Sequence, residues 1–197
     1  MVAHPMGEPS AWVRCWRHLL KPGARVLDVA CGQGRHMKWL SEAGFQCLGV
    51  DRCAESLQVA AAFGQVCHAD IEQGDWPLMT HGQLQTFDAV VVTNYLWRPL
   101  FPTLLASLAP GGVLLYETFS AGNERLGKPS RPDFLLQPGE LLKRCAQLQV
   151  VAFEEGRLEN PARCVQRIVA IQAANDATEP LAHCAVSLES LADLTPN

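Results

Sequence analysis

Short apolar runs alternate with stretches of helical period along the chain, and glycine or aspartate closes most of them. Arg25 to Ala30 reads as a strand that breaks at Cys31-Gly32-Gln33-Gly34. Met37, Leu40 and Ala43 then recur at three-residue spacing, predicting a helix from Arg35 to Ala43 that Gly44 stops. Phe45 to Val50 predicts a second strand ending at Asp51, and Ala54, Leu57 and Ala61 a second helix closed by Gly64. Gln65 to Ala69 predicts a third strand ending at Asp70. Phe87 to Thr93 is apolar on both faces, as a strand deep in a parallel sheet must be. Phe101, Leu104, Leu105 and Leu108 form a helical stripe that stops at Pro110-Gly111-Gly112, and Val113 to Phe119 predicts strand five. Pro138 suits the first turn of a helix running to about Leu148. Val150 to Phe153 and Cys164 to Ile171 are the last two strands. Only about ten residues join them, too few for a helical crossover, so they pair antiparallel. The pattern predicts an α/β fold: a doubly wound, mostly parallel seven-stranded sheet with an antiparallel last strand and helices on both faces. In such sheets the ligand lies in the crevice outside the carboxyl ends of the strands. The turns after each strand therefore carry the candidate chemistry.

A chain of 197 residues has the length of one domain. Residues 1–173 are expected to form it, with 1–22 as an N-terminal helical cap and 174–197 as a tail carrying one weakly helical patch from Leu181 to Leu194. With 48% hydrophobic and 18% charged residues, material for a core is ample and overall disorder is excluded. A net charge of −4 leaves no dedicated surface for nucleic acid, which needs clustered Lys and Arg. The N-terminus has no signal-peptide pattern and no window reads as a membrane span, so a cytoplasmic protein without a membrane partner is expected, as a monomer or homodimer. The eight cysteines include no C-x-x-C pair, and several lie in strand-like runs as small hydrophobes; no metal site is expected.

Taken singly, the strand-end residues are weak signals. Gly32 and Gly34 permit close approach of backbone to a ligand ahead of a helix N-terminus, but surface turns also produce G-x-G. A dinucleotide fingerprint needs a third glycine where Met37 stands, and Asp28 inside the strand suits a cationic ligand better than a diphosphate. Asp51, 23 residues after Asp28, can accept hydrogen bonds from the vicinal hydroxyls of a ribose or be a surface aspartate at a strand end. Asp70 can accept from an exocyclic amine, with Ile71 flanking a purine.

Together, these residues resemble the class I S-adenosylmethionine-dependent methyltransferases. Val26 to Gly34 (VLDVACGQG) is similar to their first motif and Leu48-Gly49-Val50-Asp51 to their ribose-binding strand end. Asp70-Ile71 is similar to the adenine-contacting pair, Phe87 to Asn94 to the fourth-strand motif, and Leu108 to Leu114 to the turn into strand five. Cys31 to Arg35, in a short domain, resembles the tellurite-resistance group and its small-molecule relatives. The resemblance implies S-adenosylmethionine as cofactor, S-adenosylhomocysteine as product and a small-molecule acceptor, of chalcogen or thiol type or, from the cations after strand five, anionic. It implies cofactor contacts at Asp28, Ala30, Gly32, Gly34, Arg35, Asp51, Arg52, Asp70, Ile71 and Asn94. Arg35 either reaches the cofactor carboxylate or is a solvated helix-surface arginine. Asn94 and Tyr95 follow strand four beside the expected methyl position and are the catalytic candidates, although the Pro-Pro-Tyr of nucleic-acid amino-group methyltransferases is missing.

Two flanking segments can cover such a site. Ser10 is a candidate helix N-cap, and Trp12, Trp16 and Leu19 follow at helical spacing, as core or as lid. After strand five, Arg125, Lys128 and Arg131 lie in a Gly- and Pro-rich segment and form a candidate substrate loop for an anion, or a solvated surface. The rivals to an enzyme of this class are a non-catalytic module that binds S-adenosylmethionine or its product, and a nicotinamide oxidoreductase.

Overall fold

A computed structural model describes residues 6–174; the tail patch at 181–194 lies outside the described residues. The strands are β1 (Arg25–Val29), β2 (Gln46–Asp51), β3 (Gln65–His68), a two-residue-armed hairpin of β4 (Met79–Thr80) and β5 (Gln83–Leu84), β6 (Phe87–Thr93), β7 (Leu108–Phe119), β8 (Gln149–Glu159) and β9 (Ala162–Ile171). The helices are α1 (Ala11–Trp16), α2 (Arg35–Glu42), α3 (Ala54–Ala60), α4 (Phe101–Ala106) and α5 (Glu140–Arg144). Seven strands form one sheet in the order β3-β2-β1-β6-β7-β9-β8. The first five run parallel, and β9 is antiparallel to both of its neighbours. The chain order reverses beside β1, whose neighbours β2 and β6 both run parallel to it, and this opens the crevice at the carboxyl ends of the strands.

The period-2 pattern of the central strands divides the core. Ala89 and Val91 of β6 join Val26, Met37, Leu40, Leu57, Trp12 and Trp16 on the face of α1, α2 and α3. Val90 and Val92 join Leu27, Val29, Phe101, Leu104 and Leu141 on the face of α4 and α5. Gly49 of β2 is a close-approach position: a Cβ there would lie 2.5 Å from Met37 Sδ and 2.6 Å from Cys31 Sγ. Gly49→Ala is therefore expected to cost about 1–3 kcal/mol through overpacking, read by chemical denaturation. An unchanged midpoint would mean that the helix gives way freely.

Three boundaries differ from the sequence expectation. Leu108 leaves the helical stripe and starts β7, pairing with Phe87 across an irregularity in the register. β8 and β9 are longer than their apolar runs and meet at Asn160-Pro161. The polar end of β8 lies on a sheet edge, where nothing demands apolar alternation. The last helix spans only Glu140–Arg144, and it starts beyond Pro138 because Gly139, with φ of +65°, forms its N-cap.

Candidate active site

Two cavities lie over the carboxyl ends of the strands. The larger, about 330 Å³, is lined by strand-end residues from β2, β3, β6 and β7 and by Pro129 and Phe134 of the segment after β7. The smaller, about 290 Å³, lies over the glycine turn and is closed by Met6 and Gly7. Ala30 and Asn94 line both. Among the described residues these are also two of the three non-glycine residues with positive φ, at +53° and +55°. Left-handed backbone costs an L-residue roughly 1–2 kcal/mol, and such strain concentrates where backbone must face a ligand.

The glycine turn is held by Asp51. Its Oδ2 accepts from Gly32 N at 2.8 Å and its Oδ1 from Cys53 N at 2.8 Å. Each oxygen has a second lone pair, and Asp51 lines the larger cavity. Asp70 and Ile71 line the same cavity, and Asp70 Oδ1 accepts from Glu72 N at 3.0 Å. Arg52 adds the cavity's one guanidinium. Gly32, with φ of +55°, has open space where a side chain would begin, so backbone faces the smaller cavity directly. Gly34 forms the N-cap of α2, and a Cβ there would lie 2.9 Å from that of Ala60.

Arg35 is not a solvated surface arginine. It lines the smaller cavity, half-buried, with Nη2 donating to Thr93 Oγ1 at 3.2 Å and Nη1 to the Glu8 carbonyl at 3.3 Å. Cys31 lines that cavity too, but burial, reinforced by Asp28 and Asp51, pushes its thiol well above the ordinary range. It stays protonated and is a poor nucleophile.

Asp28 lies behind the site: it is 1% exposed and lines neither cavity. Its place in the period-2 alternation of β1 turns it toward α2, where His36 Nδ1 stands 3.8 Å from Oδ2. That is too long for a hydrogen bond, and Oδ2 has no partner among the described residues. Burial raises the Asp28 carboxyl to about 7 and lowers the His36 imidazole to about 3. At neutral pH the histidine is uncharged, so the contact is no ion pair. His36 Nε2 accepts from Ser10 N at 3.1 Å, while Ser10 Oγ lies 3.2 Å from Glu117 Oε1. Glu117, 2% exposed, also takes Arg163 and Arg167. This buried chain ties the segment over the smaller cavity to the sheet. Its members were missed in the sequence because no motif joins residues 26 and 107 positions apart.

Ser10 caps α1 as expected, accepting from Trp12 N at 3.1 Å. Trp12 and Trp16, each 4% exposed, are core; the cover is formed by the residues before them.

Asn94 and Tyr95 stand at the end of β6 and line the larger cavity. Tyr116 fixes their turn: its buried hydroxyl donates to the Tyr95 carbonyl at 2.9 Å, and its ring stacks on Phe101. Burial, with Glu72 and Asp70 nearby, raises the Tyr95 phenol, so it holds its proton. Arg98 pins the other wall, with two 2.9 Å bonds to Glu140 and donation to the Asp133 and Leu135 carbonyls at 2.8 Å. Thr118, Phe119, Leu96 and Glu72 complete the lining; the alternation beyond Tyr116 on β7 was the one sequence signal for Thr118.

Arg125, Lys128 and Arg131 are exposed, and none lines either cavity. Arg131 pairs with Asp133 at 2.8 Å and lies over the Phe134 ring. Reversing all three charges is expected to leave ligand affinity unchanged within about twofold, because exposed charges outside the cavity are screened. A tenfold change in calorimetric affinity would return them to the site.

Residues 26–112 match a family described as a methyltransferase domain. Solved structures extend the likeness beyond the matched residues. TehB from Haemophilus influenzae aligns with a TM-score of 0.68 and 19% identity over 83% of this chain and 62% of that one, less than two thirds of its length. A TehB-like S-adenosylmethionine-dependent methyltransferase from Corynebacterium glutamicum aligns with a TM-score of 0.60 and 19% identity, over 82% of this chain and 86% of the other. The cyclase SpnF aligns with a TM-score of 0.59 and 16% identity, over 79% and 77%. No curated protein matches the sequence. The fold is that of the class I S-adenosylmethionine-dependent methyltransferases. The cyclase shows that this fold does not by itself fix the reaction.

Proposed function

We propose that the chain is an enzyme that transfers a methyl group from S-adenosylmethionine to a small-molecule acceptor. The observation that carries this reading is the pair of cavities meeting at Ala30 and Asn94, with Asp51 and Asp70 on one side and the Gly32 turn on the other. The residues present fit the cofactor. Asp51 retains lone pairs for two vicinal hydroxyls after accepting from Gly32 and Cys53. Asp70 can accept from an adenine amine, with Ile71 against the ring and Arg52 at the rim. Arg35 offers a guanidinium to a carboxylate in the smaller cavity, where Gly32 presents bare backbone. The oxidoreductase alternative loses ground at Met37, which stands fully buried where a dinucleotide fingerprint has its third glycine for close packing of helix on sheet.

When bound, S-adenosylmethionine supplies an activated methyl on a sulfonium, so the protein chiefly orients the reactants and excludes water. Asn94 and Tyr95 are held at the junction by Tyr116, while Met6, Gly7, Pro129 and Phe134 cover the two openings. Ultraviolet cross-linking with methyl-labelled S-adenosylmethionine, followed by peptide mapping, tests the site. Label is expected within residues 28–35, 51–52, 70–72 or 94–96. Label confined elsewhere would refute the assignment.

A further inference from the structure

The larger cavity is charged at one end only. Asp51, Asp70 and Glu72, with Arg52 as their single counter-charge, gather where β2 and β3 end. The wall formed by β6, β7 and the following segment offers Tyr95, Leu96, Thr118, Phe119, Pro129 and Phe134. Among the described residues, no Lys, Arg or His belongs to that wall. The nearby cations are committed elsewhere or stand outside: Arg98 is bound to Glu140, and Arg125, Lys128 and Arg131 are exposed beyond the lining. An oxyanion or carboxylate entering here would shed its hydration against apolar rings, with no cation of the wall to pair with it. Unpaired burial of that kind is strongly unfavourable.

We infer that the methyl acceptor is an uncharged small molecule with an apolar, ring-sized body, held between Tyr95, Leu96, Phe119 and Phe134. This rests on the cofactor reading above and departs from the anionic acceptor that the cation-rich segment suggested. The wall also limits the nucleophile. The wall itself supplies no base: Asn94 and Thr118 have no basicity at neutral pH, the Tyr95 phenol keeps its proton, and the carboxylate nearest Tyr95, Glu72, belongs to the charged end of the cavity. The acceptor atom therefore attacks as a neutral amine nitrogen or thiol sulfur. Its lone pair forms the new bond to the methyl carbon while the methyl–sulfonium bond breaks, and that electron pair returns to the cofactor sulfur. The acceptor atom, now cationic, then loses its proton to water at the mouth beside Phe134, which is 41% exposed.

The test uses the full chain saturated with S-adenosylhomocysteine and titrated calorimetrically with four probes: benzyl mercaptan and aniline as neutral acceptors, benzoate and selenite as anions. Saturable binding of at least one neutral probe is expected, with both anions at least tenfold weaker. Phe134→Glu, at the exposed rim, should weaken the neutral probe tenfold or more while the far-ultraviolet circular dichroism stays that of the parent. Tighter binding of either anion, absence of saturable binding by both neutral probes, or indifference to Phe134→Glu overturns the inference. The preceding titration with S-adenosylhomocysteine is read separately, so its failure counts against the cofactor reading and not against the acceptor class.

Discussion

Asp28→Asn is expected to stabilise the fold by a few kcal/mol at pH 8, with the gain vanishing near pH 4. The Asp28 carboxyl is raised by burial from 3.8 to about 7 and has an oxygen without a partner. Between those values the unfolded chain has released its proton while the folded chain retains it, so stability falls as pH rises and the full penalty is present above about 7. At about 1.4 kcal/mol per pH unit, ionising Asp28 in place costs on the order of 4 kcal/mol. His36 acts in the opposite sense. Its imidazole is lowered from 6.5 to about 3, so the folded state refuses a proton that the unfolded chain accepts, and stability falls as pH drops below about 6.5. In the parent protein the two slopes oppose one another between about pH 4 and 6.5. In the variant only the His36 slope remains, giving a rise to about 6.5 and then a plateau. Denaturant titrations of both proteins from pH 4 to 8 read the difference directly. A constant offset at all pH values would mean that Asp28 is ionised throughout and paired in the fold. Because Asp28 lines neither cavity, its replacement should weaken cofactor binding less than loss of Asp51.

The second large effect is at Asp51. Its carboxylate holds Gly32 N and Cys53 N in the free protein and retains lone pairs for a ribose. Charge-assisted hydrogen bonds contribute about 1.5–3 kcal/mol each, so Asp51→Ala should weaken S-adenosylhomocysteine binding by about tenfold to several hundredfold. The variant also frees the glycine turn, so amide exchange at Gly32 should accelerate. Equilibrium dialysis reads the first effect and hydrogen exchange the second. Faster exchange with undiminished affinity would make Asp51 a structural clamp alone.

The order of strands and the carboxylates at their ends were legible because each belongs to a local pattern. Period-2 alternation, a glycine stop and a terminal aspartate all lie within a few residues of one another. Asp51, Asp70, Ile71, Asn94 and Tyr95 consequently meet in one cavity. Contacts over long sequence separation were not legible. Asp28 read as a ligand contact from its motif, whereas packing of α2 on β2 and the phase of β1 bury it beside His36. Arg125, Lys128 and Arg131 read as a substrate loop from composition, yet Arg98 and Asn123 anchor that segment so that Pro129 and Phe134 reach the cavity instead. Asn123 gives no such signal in sequence: it is buried, donating to the Pro129 carbonyl at 3.0 Å and accepting from Cys164 N at 3.1 Å.

The most direct test is calorimetric titration of the full chain with S-adenosylmethionine, S-adenosylhomocysteine and NADH at one salt concentration. The account predicts one site per chain, micromolar affinity for the first two and no heat from NADH. Binding of NADH alone, or of none of the three, would contradict it.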